Sequence, residues 1–261
     1  MAGKSVLIDV SKCIGCRGCQ VACKQWNELP AEKTKNRGTY QNPPDLSGTT
    51  YTVVRFKEVF QGGDVKWNFF KDQCRHCVDP PCKMAADDEV PGAIVVDDNG
   101  AVIYTDKTKQ LKEFNLQESC PFDIPRWNAV KSLWVKCTFC NDRVANGLTP
   151  ACVKACPTGT LTFGDRDKIL NLARARLKEL KADYPNAELM DAEDVRWIYL
   201  LHEAEDQFEM GLLRGIPSMK FGLRRVFSPM APVWVTAGLL GMLFKRREEG
   251  MKRELEEVDT P

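Results

Sequence analysis

The run Cys74–Asp87, CRHCVDPPCKMAAD, decides how this chain is to be read. Cys74, Cys77 and Cys82 are spaced like iron–sulfur ligands, but where a fourth cysteine belongs stands Ala86. Three thiolates do not complete a cubane site, so the fourth ligand must come from elsewhere in the chain.

Twelve cysteines among 261 residues are the anomaly of an otherwise ordinary globular composition, 43% hydrophobic and 28% charged. A formal net charge of +1 gives no sign of a nucleic-acid surface. Disulfides suit small secreted folds, and four cysteines within Cys13–Cys23 are too crowded to pair well. The opening MAGKSVLIDV has no secretory signal pattern. Zinc tetrads usually combine separated C-x2-C pairs, often with histidine, and the chain has only two His. Iron–sulfur clusters fit best.

The stretch CIGCRGCQVAC, Cys13–Cys23, has the bacterial ferredoxin spacing C-x2-C-x2-C-x3-C. Three cysteines wrap one cubane and the fourth reaches the other cluster of the pair. The partner run is CTFCNDRVANGLTPACVKACP, 137–157, where Pro157 fixes φ after the last cysteine. This gives one cluster on Cys13, Cys16, Cys19 and Cys156, and a second on Cys23, Cys137, Cys140 and Cys152. The third is held by Cys74, Cys77 and Cys82, with Cys120 of Cys120–Pro121 supplying the missing ligand. Counting back from Cys120 by the same spacing gives Leu116, Glu113 and Gln110. With Ala86, these are the four ligands that a fourth cubane would need. They are lost together, and the remaining twelve cysteines divide into three complete tetrads with none left over. The cofactors expected are therefore three 4Fe-4S clusters. His76, between two ligands, is an alternative Rieske-type donor, disfavoured because the thiolate set is complete.

With these motifs in hand, the chain resembles the ferredoxin-like electron-transfer subunits of molybdopterin oxidoreductases. CRGCQVACKQWNELPAEKTKNRGTYQNPPDLS, CRHCVDPPCK and CNDRVANGLTPACVKACPTGT are similar to the beta, or iron–sulfur, subunit of formate dehydrogenase, three-cluster type. The resemblance spans about residues 5–205. It implies an α+β fold of two nested bacterial-ferredoxin-like modules. It also implies a molybdopterin catalytic subunit carrying tungsten or molybdenum as partner. The acceptor is left open: a cytochrome b or quinone-linked membrane subunit, or a soluble cytochrome c. The same architecture serves other catalytic partners, namely a thiosulfate, polysulfide, sulfoxide or nitrate reductase, or a hydrogenase. A structural subunit with vestigial clusters is disfavoured, because no half-lost tetrad remains.

The expected organisation is a first module over 1–67 and 131–164 with a long connection, and an inserted second module over 68–130. A mixed extension follows over 165–225. SVLID and the stretch 50–60 read as strands, and 92–106 reads as a hairpin around Asn99–Gly100. Residues 167–185 place Ile169, Leu170, Ala173, Leu177 and Leu180 at helical spacing. DVRWIYLL suggests a strand and EAEDQFEMGLLR a short helix. Trp26, Trp67, Trp127 and Trp134 are candidates to line routes between clusters, or simply core.

Val226–Phe244 carries no charge over nineteen residues. At about 1.5 Å per residue it nearly crosses a hydrocarbon core of about 30 Å. Arg224, Arg225 and Lys245–Arg247 flank it and can snorkel. The reading is a single transmembrane helix over 226–244 with a charged tail over 245–261. The alternative is a helix docked on a partner subunit. A slight excess of basic residues after the span puts the cluster domain on the periplasmic side of the bacterial membrane. A cytoplasmic site is the alternative.

No triad, phosphate loop or dinucleotide fingerprint is present, so no catalytic residue is expected. Gly15 and Gly18 let backbone N–H groups approach the sulfurs. Arg17, Lys24, Arg75, Lys83, Lys136, Arg143 and Lys154 neighbour the ligands in sequence and are candidates to tune potentials.

Overall fold

Strand β1 (Lys4–Asp9) is buried along nearly its whole length, the pattern of a strand covered on both faces. The computed structural model describes residues 3–210. On one side β1 pairs antiparallel with β8 (Leu161–Asp165), in a register that sets Ile8 opposite Leu161. On its other side β10 (Trp197–Leu201) runs parallel to it, with Leu7 opposite Ile198 and Ile8 opposite Tyr199. β9 (Glu188–Met190) closes the sheet, giving the order β8-β1-β10-β9. The segment after 165 thus contributes two strands to the sheet that the N-terminus begins.

Alternation along the strands divides the sheet's faces. Leu7, Ile198 and Leu200 pack under helix α5 (Arg166–Leu180) against Ile169, Leu170, Ala173 and Leu180. Burying each large side chain of this kind contributes roughly 1.5–3 kcal/mol. Ile8, Trp197 and Tyr199 face the opposite way, toward the cysteines. The helix expected over 167–185 stops at Leu180, and a turn over Lys181–Tyr184 leads to Pro185. Proline disfavours helical backbone in the residue before it.

The other strands form three hairpins. β2 (Thr52–Gln61) pairs with β3 (Asp64–Gln73) over its full length. β3 was not expected. Its turn is Gly62–Gly63, with φ of +62° and +89°, a two-residue hairpin connection that glycine permits. β4 (Ile94–Val96) and β5 (Val102–Tyr104) form the hairpin expected around Asn99–Gly100. β6 (Arg126–Asn128) and β7 (Leu133–Val135) form the third. Four helices carry or follow cysteines: α1 (Gly18–Trp26), α2 (Pro81–Glu89), α3 (Asn141–Ala145) and α4 (Ala151–Lys154). α2 starts on Pro81, where the missing N–H costs nothing because first-turn donors have no intrahelical partner.

The short helix expected over 203–214 is, within the described residues, a single turn at Glu205–Gln207. The transmembrane helix expected over 226–244 and the tail 245–261 lie outside the described residues. Among the described residues no helix is long and apolar enough to cross a membrane.

Candidate metal centres

Twelve free cysteines line three separate cavities, four to each. Cys13, Cys16, Cys19 and Cys156 line the first. Cys23, Cys137, Cys140 and Cys152 line the second. Cys74, Cys77, Cys82 and Cys120 line the third. These are the groups expected from the spacing. Among the described residues no three His, Cys, Asp or Glu side chains close on a single metal ion.

Two helices build the exchange of ligands between the first two cavities. Cys19 and Cys23 lie on α1 about one turn apart, a rise of about 6 Å, so one helix serves both cavities. α4 does the converse, giving Cys152 to the second cavity, with Cys156 beyond its end in the first. α1 packs on α4, which brings the two cavities side by side. α2 carries Cys82 and, one turn on, Ala86. Ala86 is fully buried, packed in a core cluster with Leu111, Leu116 and Trp134. Gln110 and Glu113 are exposed. Of the four positions counted for a further ligand set, two lie in packed hydrophobic core and two face solvent.

A left-handed residue precedes the second cysteine of each run: Gly15 (φ +64°), His76 (+49°) and Phe139 (+61°). This conformation turns the backbone N–H toward the first sulfur of the loop. The His76 N–H lies 3.4 Å from Cys74 Sγ and the Phe139 N–H lies 3.5 Å from Cys137 Sγ. Glycine adopts it freely; for His76 and Phe139 it costs roughly 1–3 kcal/mol each and persists because both are fully buried. Their rings meet at 4.9 Å, joining the loops of the second and third cavities. His76 Nδ1 accepts a hydrogen bond from the Val102 N–H at 2.9 Å, which commits that nitrogen to the backbone. Gly15 is required twice over, since a Cβ there would stand 2.9 Å from the Phe69 ring.

Burial pushes the thiols up: Cys19 and Cys23 to about 12 and Cys140 to about 11. Burial also raises Cys77, Cys137 and Cys120, with neighbouring thiolates adding to it. Cys156 goes the other way: burial would raise it, but bonds from the Leu161 N–H and the Thr158 side chain outweigh that. Metal binding to such thiols must release protons. The Tyr104 hydroxyl is buried on the wall of the third cavity, beside the Cys82 thiol. It can donate to sulfur there. Four soft thiol donors per cavity, N–H groups turned toward sulfur and this buried hydroxyl suit 4Fe-4S clusters.

The cations differ in setting. Lys136 is buried, its ammonium bonded to the Val102 and Cys137 carbonyls and lying 4.7 Å from the Tyr104 ring centre. Arg75, 2% exposed, stacks 3.8 Å from the Phe122 ring centre and pairs with Asp191 at 3.2 Å. Both line the third cavity. Arg17 lines the first, over the Phe56 ring. Arg143 lies over Trp26 and bonds the Thr149 carbonyl. Lys24 is tied to the Pro30 and Thr49 carbonyls and near Glu32, Lys83 to Asp87, and Lys154 is exposed. None of Trp26, Trp67, Trp127 and Trp134 lines these three cavities; Trp134 belongs to the core around Ala86 and Leu116. Sequence reasoning missed Trp197 and Lys71, which do line cavities. A lysine inside the apolar stretch just before Cys74 was the available signal for Lys71.

The 4Fe-4S dicluster domain family matches residues 65–166, so the chain contains a ferredoxin-like iron–sulfur domain. A formate dehydrogenase 2 subunit beta (cytochrome c-553) of Nitratidesulfovibrio vulgaris is 49% identical over 78% of this chain and 96% of that protein. A formate dehydrogenase subunit beta of Megalodesulfovibrio gigas is 49% identical over 76% of this chain and 93% of its own. The formate dehydrogenase-O iron-sulfur subunit of Escherichia coli is 40% identical over 97% of this chain and 86% of its own. The chain belongs to the family of formate dehydrogenase beta, or iron–sulfur, subunits.

Proposed function

We propose that this chain is the electron-transfer subunit of a formate dehydrogenase complex, relaying single electrons through three 4Fe-4S clusters. The observation that carries the reading is the partition of all twelve cysteines into three four-thiol cavities, in a chain of this family. Cys13, Cys16, Cys19 and Cys156 hold one cluster. Cys23, Cys137, Cys140 and Cys152 hold another, and Cys74, Cys77, Cys82 and Cys120 the third. Each cluster, when bound, takes up and releases one electron at a time. The chain's own residues fix the positions, exclude water and supply hydrogen bonds and charge to the sulfurs.

The middle place in the relay falls to the Cys23 group. Lys71 is common to the walls of the first and second cavities, and His76 meets Phe139 between the second and third. The first cavity is the outermost, because Cys16 is exposed and Cys13, Cys19 and Cys156 are half-buried. The partner is a molybdopterin catalytic subunit carrying tungsten or molybdenum. Residues 226–244 anchor the chain in the membrane, with the cluster domain on the periplasmic side. In support, the nineteen residues 226–244 carry no charge and are flanked by Arg224, Arg225 and Lys245–Arg247.

Anaerobic co-purification with metal analysis tests the reading. About twelve irons per chain and a tungsten- or molybdenum-containing partner that reduces dyes with formate are expected. About sixteen irons, or a partner inactive with formate, would sink it. Carbonate extraction of membranes, with protease access to the cluster domain, tests the anchor and the side.

A further inference from the structure

Lys71 lies on β3 and is 4% exposed. Its ammonium donates to Thr52 Oγ1 at 3.0 Å and to Gln73 Oε1, and lies 4.8 Å from the centre of the Trp197 ring. All three partners are neutral. Among the described residues, carboxylates pair with Lys4, Lys12, Lys24, Lys83, Lys112 and Lys168, and none with Lys71. The neighbouring carboxylate, Asp72, is engaged by Arg55 at 2.7 Å. A buried ammonium with only neutral partners is strongly disfavoured unless negative charge stands nearby. The groups around Lys71 that can supply it are the cysteines: it lines both the cavity of Cys13, Cys16, Cys19 and Cys156 and that of Cys23, Cys137, Cys140 and Cys152. Strand β10 holds it in that place. The Tyr199 hydroxyl donates to the Lys71 carbonyl at 2.6 Å, and Trp197 caps the side chain.

We propose that Lys71 is the counter-cation shared by two of the three clusters, raising both of their reduction potentials. The inference rests on the three-cluster reading above. A four-thiolate cubane carries a net negative charge that grows by one on reduction, so a fixed positive charge beside it favours the reduced form. Lys71 stays protonated throughout; the electron enters the cluster and no proton moves. The third cluster has its own cations, Arg75 and Lys136, and does not share Lys71.

The test is an EPR-monitored redox titration of the full-length chain, purified anaerobically, as wild type, Lys71→Met and Lys71→Arg. In Lys71→Met, two of the three titrating components shift toward the oxidised form by at least tenfold in the reduction equilibrium, about 59 mV each for one-electron couples. The third stays within threefold, and Lys71→Arg restores the first two. If Lys71→Met loads iron poorly, full iron in Lys71→Arg supports the inference equally, since only charge is then restored. Unshifted potentials in Lys71→Met, equal shifts in all three components, or iron loss in both variants overturn it. A wild type with twelve irons and unshifted variant potentials removes the role of Lys71 alone. A wild type without cluster signals removes the three-cluster reading as well.

Discussion

Replacing Gly15 by alanine isolates what the first cysteine loop demands of its backbone. Two costs add. At φ of +64° an alanine pays roughly 1–2 kcal/mol for left-handed backbone. Its Cβ also stands 2.9 Å from Phe69 Cε1 and 3.2 Å from the Phe56 ring. Phe69 has no easy retreat, because it packs edge-on to Phe56 at 5.1 Å and parallel to Trp67 at 6.4 Å. Overpacking of this kind costs typically about 1–3 kcal/mol. The total expected is about 2–5 kcal/mol. Gly62 is the matched control. Its φ is +62° and a Cβ there would meet nothing within 4 Å, so Gly62→Ala keeps the first cost and lacks the second. At about 2–4 °C per kcal/mol, the apparent unfolding midpoint falls by roughly 10 °C in Gly15→Ala and by about half that or less in Gly62→Ala. Both are to be read by differential scanning fluorimetry of iron-loaded protein at one scan rate, because loss of clusters makes unfolding irreversible. Gly15→Ala also sheds iron from one cluster first. Equal midpoints for the two variants, or full iron retention in Gly15→Ala after heating that strips no iron from the control, would refute the steric argument.

Cys120→Ala removes one ligand of the third cavity and is expected to leave about eight irons per chain by colorimetric assay, with the other two clusters' EPR signals intact. Installing cysteines at Ala86, Gln110, Glu113 and Leu116 together is expected to leave iron at about twelve, because two of these positions face solvent and two lie in packed core; iron rising to about sixteen would contradict this. Leu116→Ala opens a cavity in that core and costs about 2–5 kcal/mol, visible as a lower thermal midpoint with iron content unchanged. Tyr199→Phe strips the Lys71 carbonyl of its buried donor, a loss of about 1–3 kcal/mol by the same measurement.

Much of the site was legible because ligand spacing is a local property. Three cysteines within a tight loop fix their own geometry, so C-x2-C and CP runs could be grouped before any tertiary contact was known. The gap at Ala86, read with Leu116, Glu113 and Gln110, likewise needed only counting. β1, the 92–106 hairpin and α5 followed from apolar period and an Asn-Gly turn. β3 is masked in the sequence although Gly62–Gly63 marks its turn, because DVKWNFFKD mixes charge into an apolar run. The two charges at its C-terminal end are buried and used: Asp72 by Arg55, and Lys71 between two cavities.

The sequence alone grouped the cysteines, pointed to a missing tetrad, and placed several strands and a long helix. These depend on residue type at fixed short separation, which the covalent chain carries by itself. Only the tertiary structure decided that β10 inserts beside β1, bringing Trp197 and Tyr199 against Lys71, and that His76 meets Phe139 between two cysteine loops. Such juxtapositions join residues far apart along the chain. They are fixed by which faces must be buried together, a choice no local pattern encodes.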